Sequence, residues 1–202
     1  RRRTKAIADK LGLDFDFFPA VSKYDEKTLD EFEGNYQNNH KACFISHYRV
    51  FQSIAENDYS STLILEDDVD MEMDIIPIIT GIHDILPTDW ETLFIGHCGL
   101  DSRGEILGES HGIGLFKSNH PLCTHAYAVS SAGVHKFLKE FTVADSPIDV
   151  KFYFEIKKGN INSYSLNPAP IVQARSPSDL TPGEEPDEDL RNSTLRFLGL
   201  RK

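Results

Sequence analysis

Apolar side chains return at helical spacing between Lys41 and Glu56, where Cys43, Tyr48, Val50, Phe51, Ile54 and Ala55 share one face. Next comes Thr62-Leu63-Ile64-Leu65, too short for a helix and apolar throughout, which suits a strand covered on both sides. Similar runs at Leu93-Phe94-Ile95, ending at Gly96, and at Ala126–Val129 predict two more strands, and Asn162–Leu166 predicts a fourth. Helices are predicted at Thr4–Leu11, ended by Gly12, and near Asp25–Phe32. Further helices are predicted at Ile75–Leu86, from a Ser130-Ser131 cap to Phe141, and at Ile148–Lys157. The aromatic run Phe15, Phe17, Phe18, closed by Pro19, reads as a strand, and the five glycines between Gly99 and Gly114 read as a long loop. Strands alternating with helices indicate an α/β domain with a mainly parallel or mixed sheet. Residues 176–190 carry Pro177, Pro182, Pro186 and six acidic side chains and read as a loop or linker, which divides the chain into a domain at 1–175 and an acidic segment at 176–202.

The composition is that of a globular protein, with 40% apolar and 26% charged residues in 202. A net charge of -11 repels phosphate backbones and disfavours nucleic acid as a partner. An anionic nucleotide remains compatible if a cation or a basic group bridges it to the protein. No stretch reaches the roughly 18 consecutive apolar residues of a membrane span, and the chain opens on Arg1-Arg2-Arg3 without an apolar leader. Cys98 and Cys123 flank one region and suit a disulfide in an oxidising compartment, and three free thiols are the alternative. Asn192-Ser193-Thr194 is a glycosylation sequon, informative only in a secreted protein.

The most informative pattern is Leu65-Glu66-Asp67-Asp68-Val69-Asp70, placed at the end of a buried strand. Ligands of open α/β sheets bind outside the carboxyl ends of strands. Were the chain to continue extended, Glu66, Asp68 and Asp70 would share one side. Crowded carboxylates raise one another's pKa, and a hard divalent cation such as Mg²⁺ or Mn²⁺ relieves that repulsion. A solvated acidic turn, or acidic residues stabilising the following helix, is the alternative. Arg2 and Arg3 suit ligand phosphates or form a solvated basic end, and Ser46 and His47 suit either a ligand site or the core. His97 and His125 lie at strand ends nearer the expected cleft, while Tyr127 is expected to pack rather than to touch a ligand.

Five segments in order resemble glycosyltransferase family 25, which includes collagen and bacterial lipooligosaccharide galactosyltransferases. They are Ala42-Cys43-Phe44-Ile45-Ser46-His47, Leu63–Val69 with its acidic triplet, Trp90–Cys98, His125–Ser130 and Pro147-Ile148-Asp149. The resemblance, over roughly residues 1–175, implies a GT-A (Rossmann-like) fold whose first strand is missing here. It also implies a UDP-sugar donor, most often UDP-galactose, a Mn²⁺ or Mg²⁺ ion, and a glycan or glycoprotein acceptor. Asp68, with Asp70 nearby, then becomes the expected metal ligand; Glu66 and Asp67 help to hold donor and metal, and Asp149 is the expected general base of an inverting transfer. A eukaryotic member would work in the lumen of the ER or Golgi. A catalytically inactive binding or adhesion module on the same fold, and a metal-dependent phosphohydrolase, are the competing expectations.

Overall fold

A computed structural model describes residues 1–98, 104–174 and 190–200. The amino-terminal half holds α1 (Arg2–Leu11), α2 (Glu26–Asp30), α3 (Asn38–Glu56), β1 (Ser61–Leu65), β2 (Val69–Met71), α4 (Ile75–His83) and β3 (Thr92–Cys98). Then follow β4 (Ile106–Ser110), β5 (Ile113–Lys117), β6 (Leu122–Ser130), α5 (Ser131–Glu140), α6 (Ile148–Lys157), β7 (Ser163–Asn167), β8 (Ile171–Gln173) and α7 (Thr194–Phe197). Six strands form one mixed sheet in the order β1-β6-β3-β7-β5-β4, and β2 pairs with β8 in a separate antiparallel ribbon. Within the large sheet only β3 and β7 are parallel neighbours; β6 runs antiparallel between β1 and β3. The carboxyl ends of β1 and β3 therefore meet the amino end of β6 at one edge: Leu65 faces Ala126 and Cys98 faces Leu122.

Alternation along the strands separates two cores. Phe94, Tyr127 and Val129 point into a layer with Phe44 and Phe51 of α3, Phe137 of α5 and Phe152 of α6. Leu93, Ile95 and Ala126 point to the other face, packed against Ile7 of α1, Ile78 and Ile82 of α4, Met71 of β2 and Ile171 of β8. Helix α1 ends where Gly12 takes a left-handed φ of 67°, and α5 starts where the Ser130 hydroxyl accepts from the Gly133 amide at 3.1 Å.

Several expectations change. Phe15 to Phe18 form no strand; Phe17 and Phe18 are exposed, and the segment that follows is held to α3 by the Val21 amide donating to Ser46. The Gly99–Gly114 stretch contains β4 and leads into β5; Gly112 makes the left-handed turn between them. Residues 176–189 of the acidic segment lie outside the described residues, but 190–200 pack onto β2, with Leu195 fully buried in the core. No helix among the described residues is long and apolar enough to cross a membrane.

Candidate functional site

The acidic run does not continue extended. After β1 the chain turns at Asp67-Asp68 and re-enters as β2, so the side-sharing of Glu66, Asp68 and Asp70 does not hold. The turn is anchored on three sides. The Glu66 amide donates to the His125 carbonyl of β6 at 2.9 Å, the Thr4 hydroxyl of α1 donates to the Asp67 carbonyl at 3.0 Å, and the Ala174 amide donates to the Asp68 carbonyl. Those anchors fix the backbone and leave the carboxylates of Asp67 and Asp68 unused by them.

Asp67 is exposed. Asp68 is half-buried; its Oδ1 is shut from solvent and finds no hydrogen-bond partner. Burial, then the neighbouring charges of Glu66 and Asp67, push its carboxyl up to about 6. A buried carboxylate oxygen without a donor is expensive, and a cation removes the cost. That orphaned oxygen is the feature of this chain that fits a hard divalent ion.

Glu66 is held differently. Its Oε1 accepts from the Thr124 hydroxyl at 3.0 Å and lies 3.5 Å from His47 Nε2, while His47 Nδ1 is 2.8 Å from the Tyr127 hydroxyl. Burial opposes ionisation of both partners. Their mutual contact wins: the Glu66 carboxyl stays below its ordinary range, and His47, beside Cys43 and Glu66, is raised to about 10. His125 is held low by burial, with Gly96 leaving room for its ring to reach the Ile171 carbonyl at 3.3 Å; its Nδ1 has no partner.

Asp149 stands in the first turn of α6, after Pro147. Its Oδ2 accepts from the Cys123 amide at 3.0 Å and its Oδ1 from the Val150 amide at 2.8 Å. A carboxylate has about four acceptor sites, so both oxygens keep a lone pair for a further proton donor. Cys123 is disulfide-bonded to Cys98, which resolves the open choice in favour of the bridge and leaves Cys43 as the free thiol. The bridge joins the end of β3 to the start of β6 beside Thr124, so Asp149 and Glu66 hold adjacent residues of one strand.

Other expected residues sit elsewhere. Asp70 is fully buried, and its carboxylate accepts from the Ser193 hydroxyl at 2.6 Å and the amides of Leu195 and Met71. It ties β2 to the carboxyl-terminal segment and is not placed with Asp68 as a second ligand. Ser46 donates to the Ala42 carbonyl and accepts from the Val21 amide, which makes it a fastener of the 13–22 segment. Arg2 and Arg3 are exposed on α1, next to the Thr4 that grips the acidic turn. His97 is buried, with Nε2 on the Leu166 carbonyl. Among the described residues, the histidine, cysteine and carboxylate groups with ligand atoms within 4.8 Å of one another are Cys98–Cys123–His125 and Cys43–His47–Glu66; neither includes Asp68 or Asp70. A cavity of about 520 Å³ lined by Ser60, Trp90, Glu91 and Asn162 opens at the amino ends of β1 and β3, away from the acidic turn.

Thr124 is the residue of this cluster that sequence reasoning did not single out; Tyr127, expected to pack, is fully buried in the core and also meets His47 through its hydroxyl. The hint for Tyr127 was its phenol within a buried run, since a buried hydroxyl needs a partner.

The model of Glycosyltransferase family 25 (LPS biosynthesis protein) matches residues 1–97. Procollagen galactosyltransferase 2 of Mus musculus is 26% identical over 100 residues, 48% of this chain and 16% of that protein. A glycosyltransferase 25 family member of Anopheles gambiae is 29% identical over 160 residues, 69% of this chain and 26% of that protein. Procollagen galactosyltransferase 1-A of Xenopus laevis is 25% identical over 191 residues, 84% of this chain and 31% of that protein. The chain thus spans less than a third of the length of each of these relatives.

Proposed function

We propose that this chain is a member of glycosyltransferase family 25 and carries the donor site of a glycosyltransferase that moves a hexose to a hydroxyl of a glycan or glycoprotein. The donor we assign is UDP-galactose, in keeping with the galactosyltransferase names of the relatives. The observation that carries the reading is Asp68, a carboxylate with one oxygen shut from solvent and unpartnered, on the turn that follows β1.

An acidic chain repels a sugar diphosphate, so a positive charge must stand between them. Asp68 and the exposed Asp67 would hold a Mn²⁺ or Mg²⁺ ion, with Glu66 beside them. When bound, such an ion supplies Lewis-acid charge that favours departure of the diphosphate. Arg2 and Arg3, exposed on the helix that Thr4 fastens to the same turn, would meet phosphate oxygens of the donor. Asp149 takes the proton of the acceptor hydroxyl on an oxygen already oriented by a backbone amide, and an acceptor activated opposite the departing diphosphate gives inversion. Orientation of this kind lets the carboxylate act without reorganising.

The test is release of UDP, GDP and CMP from their sugar conjugates by the full chain, with and without Mn²⁺ and with hydroxylysine or lactose as acceptor. UDP release from UDP-galactose that needs Mn²⁺ supports the reading. Hydrolysis of simple phosphate esters in its place would make the chain a phosphohydrolase, and binding of UDP without turnover would make it an inactive module.

A further inference from the structure

Glu66 has two oxygens with unlike surroundings. Both internal donors, the Thr124 hydroxyl at 3.0 Å and His47 Nε2 at 3.5 Å, converge on Oε1, and Oε2 has no partner among the described residues. Its backbone is fixed as well, through its amide on the His125 carbonyl. His47 is only 6% exposed and both its ring nitrogens are committed, so it cannot reach a donor molecule itself. A carboxylate only accepts hydrogen bonds, so the Nε2 that faces it carries hydrogen. The fully buried Tyr127 hydroxyl satisfies Nδ1 and fixes the ring from behind.

We propose that Tyr127 and His47 are positioning residues that lock Oε1 of Glu66 inward, so that Oε2 is the one oxygen this residue presents to the cation and nucleotide. This rests on the donor site proposed above and adds which atom of Glu66 works and what orients it. The same geometry fixes the outcome of an isosteric change. In Glu66→Gln both donors require the amide oxygen at the Oε1 position, which turns the NH₂ group outward where Oε2 stood. An acceptor becomes a donor, and the variant behaves like a deletion of the group rather than a mild replacement. Partners of this type behind a ligand typically alter affinity by about 10- to 100-fold.

The experiment is calorimetric titration of UDP in the presence of Mn²⁺, with melting temperature recorded, for the full chain and for Glu66→Gln, Glu66→Ala, His47→Ala, His47→Gln and Tyr127→Phe. The expected result has Glu66→Gln as weak as Glu66→Ala and His47→Ala weakened about 10-fold or more. His47→Gln, whose amide reaches the Nε2 position, should recover most of the loss, and Tyr127→Phe should weaken binding about threefold to tenfold. Glu66→Gln binding as tightly as the unaltered chain would overturn the proposal. So would His47→Ala and Tyr127→Phe that melt earlier yet bind normally, which is a merely structural role. Should His47→Ala fail to fold, Tyr127→Phe and Glu66→Gln decide the matter. No binding of UDP by the unaltered chain would overturn the donor-site reading itself, and this inference with it.

Discussion

Replacing Asp68 by Asn should stabilise the metal-free protein while abolishing its response to Mn²⁺. The Asp68 carboxyl rises from an ordinary 3.8 to about 6, and each pKa unit corresponds to about 1.4 kcal/mol. Ionised Asp68 therefore disfavours the folded state by about 3 kcal/mol. The sign follows from proton binding: the folded chain holds this proton more tightly than the unfolded one. Its contribution is fully present below about pH 4, falls away as pH rises towards 6, and is gone above that. An Asn does not titrate, but it leaves a polar group at a position with no donor or acceptor waiting, so the net gain at pH 7.5 should be about 1–3 kcal/mol. For a chain of this size that is a rise in Tm of a few degrees. The assay is urea unfolding from pH 4 to 8 in a chelator, wild type against Asp68→Asn, where the difference removes every other titrating group. Saturating Mn²⁺, at about 100 times its Kd, should then add about 2.7 kcal/mol to the wild type and nothing to the variant. Parallel pH curves, with the variant no more stable at pH 7.5, would refute the reasoning.

Asp149→Asn should keep UDP binding and lose about 10²- to 10⁴-fold in kcat, read by steady-state turnover with a saturating acceptor; near-normal kcat would remove Asp149 from the mechanism. Asp70→Ala leaves the Ser193 hydroxyl and the Leu195 amide without their acceptor, so urea unfolding should show a loss of about 3 kcal/mol or more with Mn²⁺ affinity retained; lost affinity in a folded variant would return Asp70 to the metal site. Reducing Cys98–Cys123, separated by 25 residues, should lower stability by about 3 kcal/mol by loop entropy, and kcat should fall with it because Asp149 is held by the Cys123 amide.

Much of the frame was legible because it depends on periodicity. The apolar run Thr62–Leu65 is too short for a helix, and the face of Lys41–Glu56 repeats at helical spacing, so β1 and α3 follow from sequence alone. Phe15–Phe18 misled for a physical reason: aromatic residues favour strands only when a neighbouring strand covers them, and here Arg1 and the edge of Phe15 cover Phe17 instead. The β4–β5 pair was hidden by glycines, since a turn with φ of 74° at Gly112 and an unconstrained loop have the same composition. At the site, the acidic run located the turn but could not say which carboxylate faces which way. That depended on partners far along the chain: Thr124, 58 residues from Glu66, and Ser193, 123 residues from Asp70. Such pairings are set by the order of strands, which a one-dimensional pattern does not contain.

The proposed chemistry depends above all on the turn after β1 gripping a cation together with a sugar diphosphate. Electron paramagnetic resonance of Mn²⁺ titrated into the full chain, with and without UDP, reads that directly. Loss of the free-ion signal that tightens with UDP, and vanishes in Asp68→Asn, is the result expected. Free Mn²⁺ spectra unchanged by the protein and UDP together, relative to UDP by itself, would contradict it.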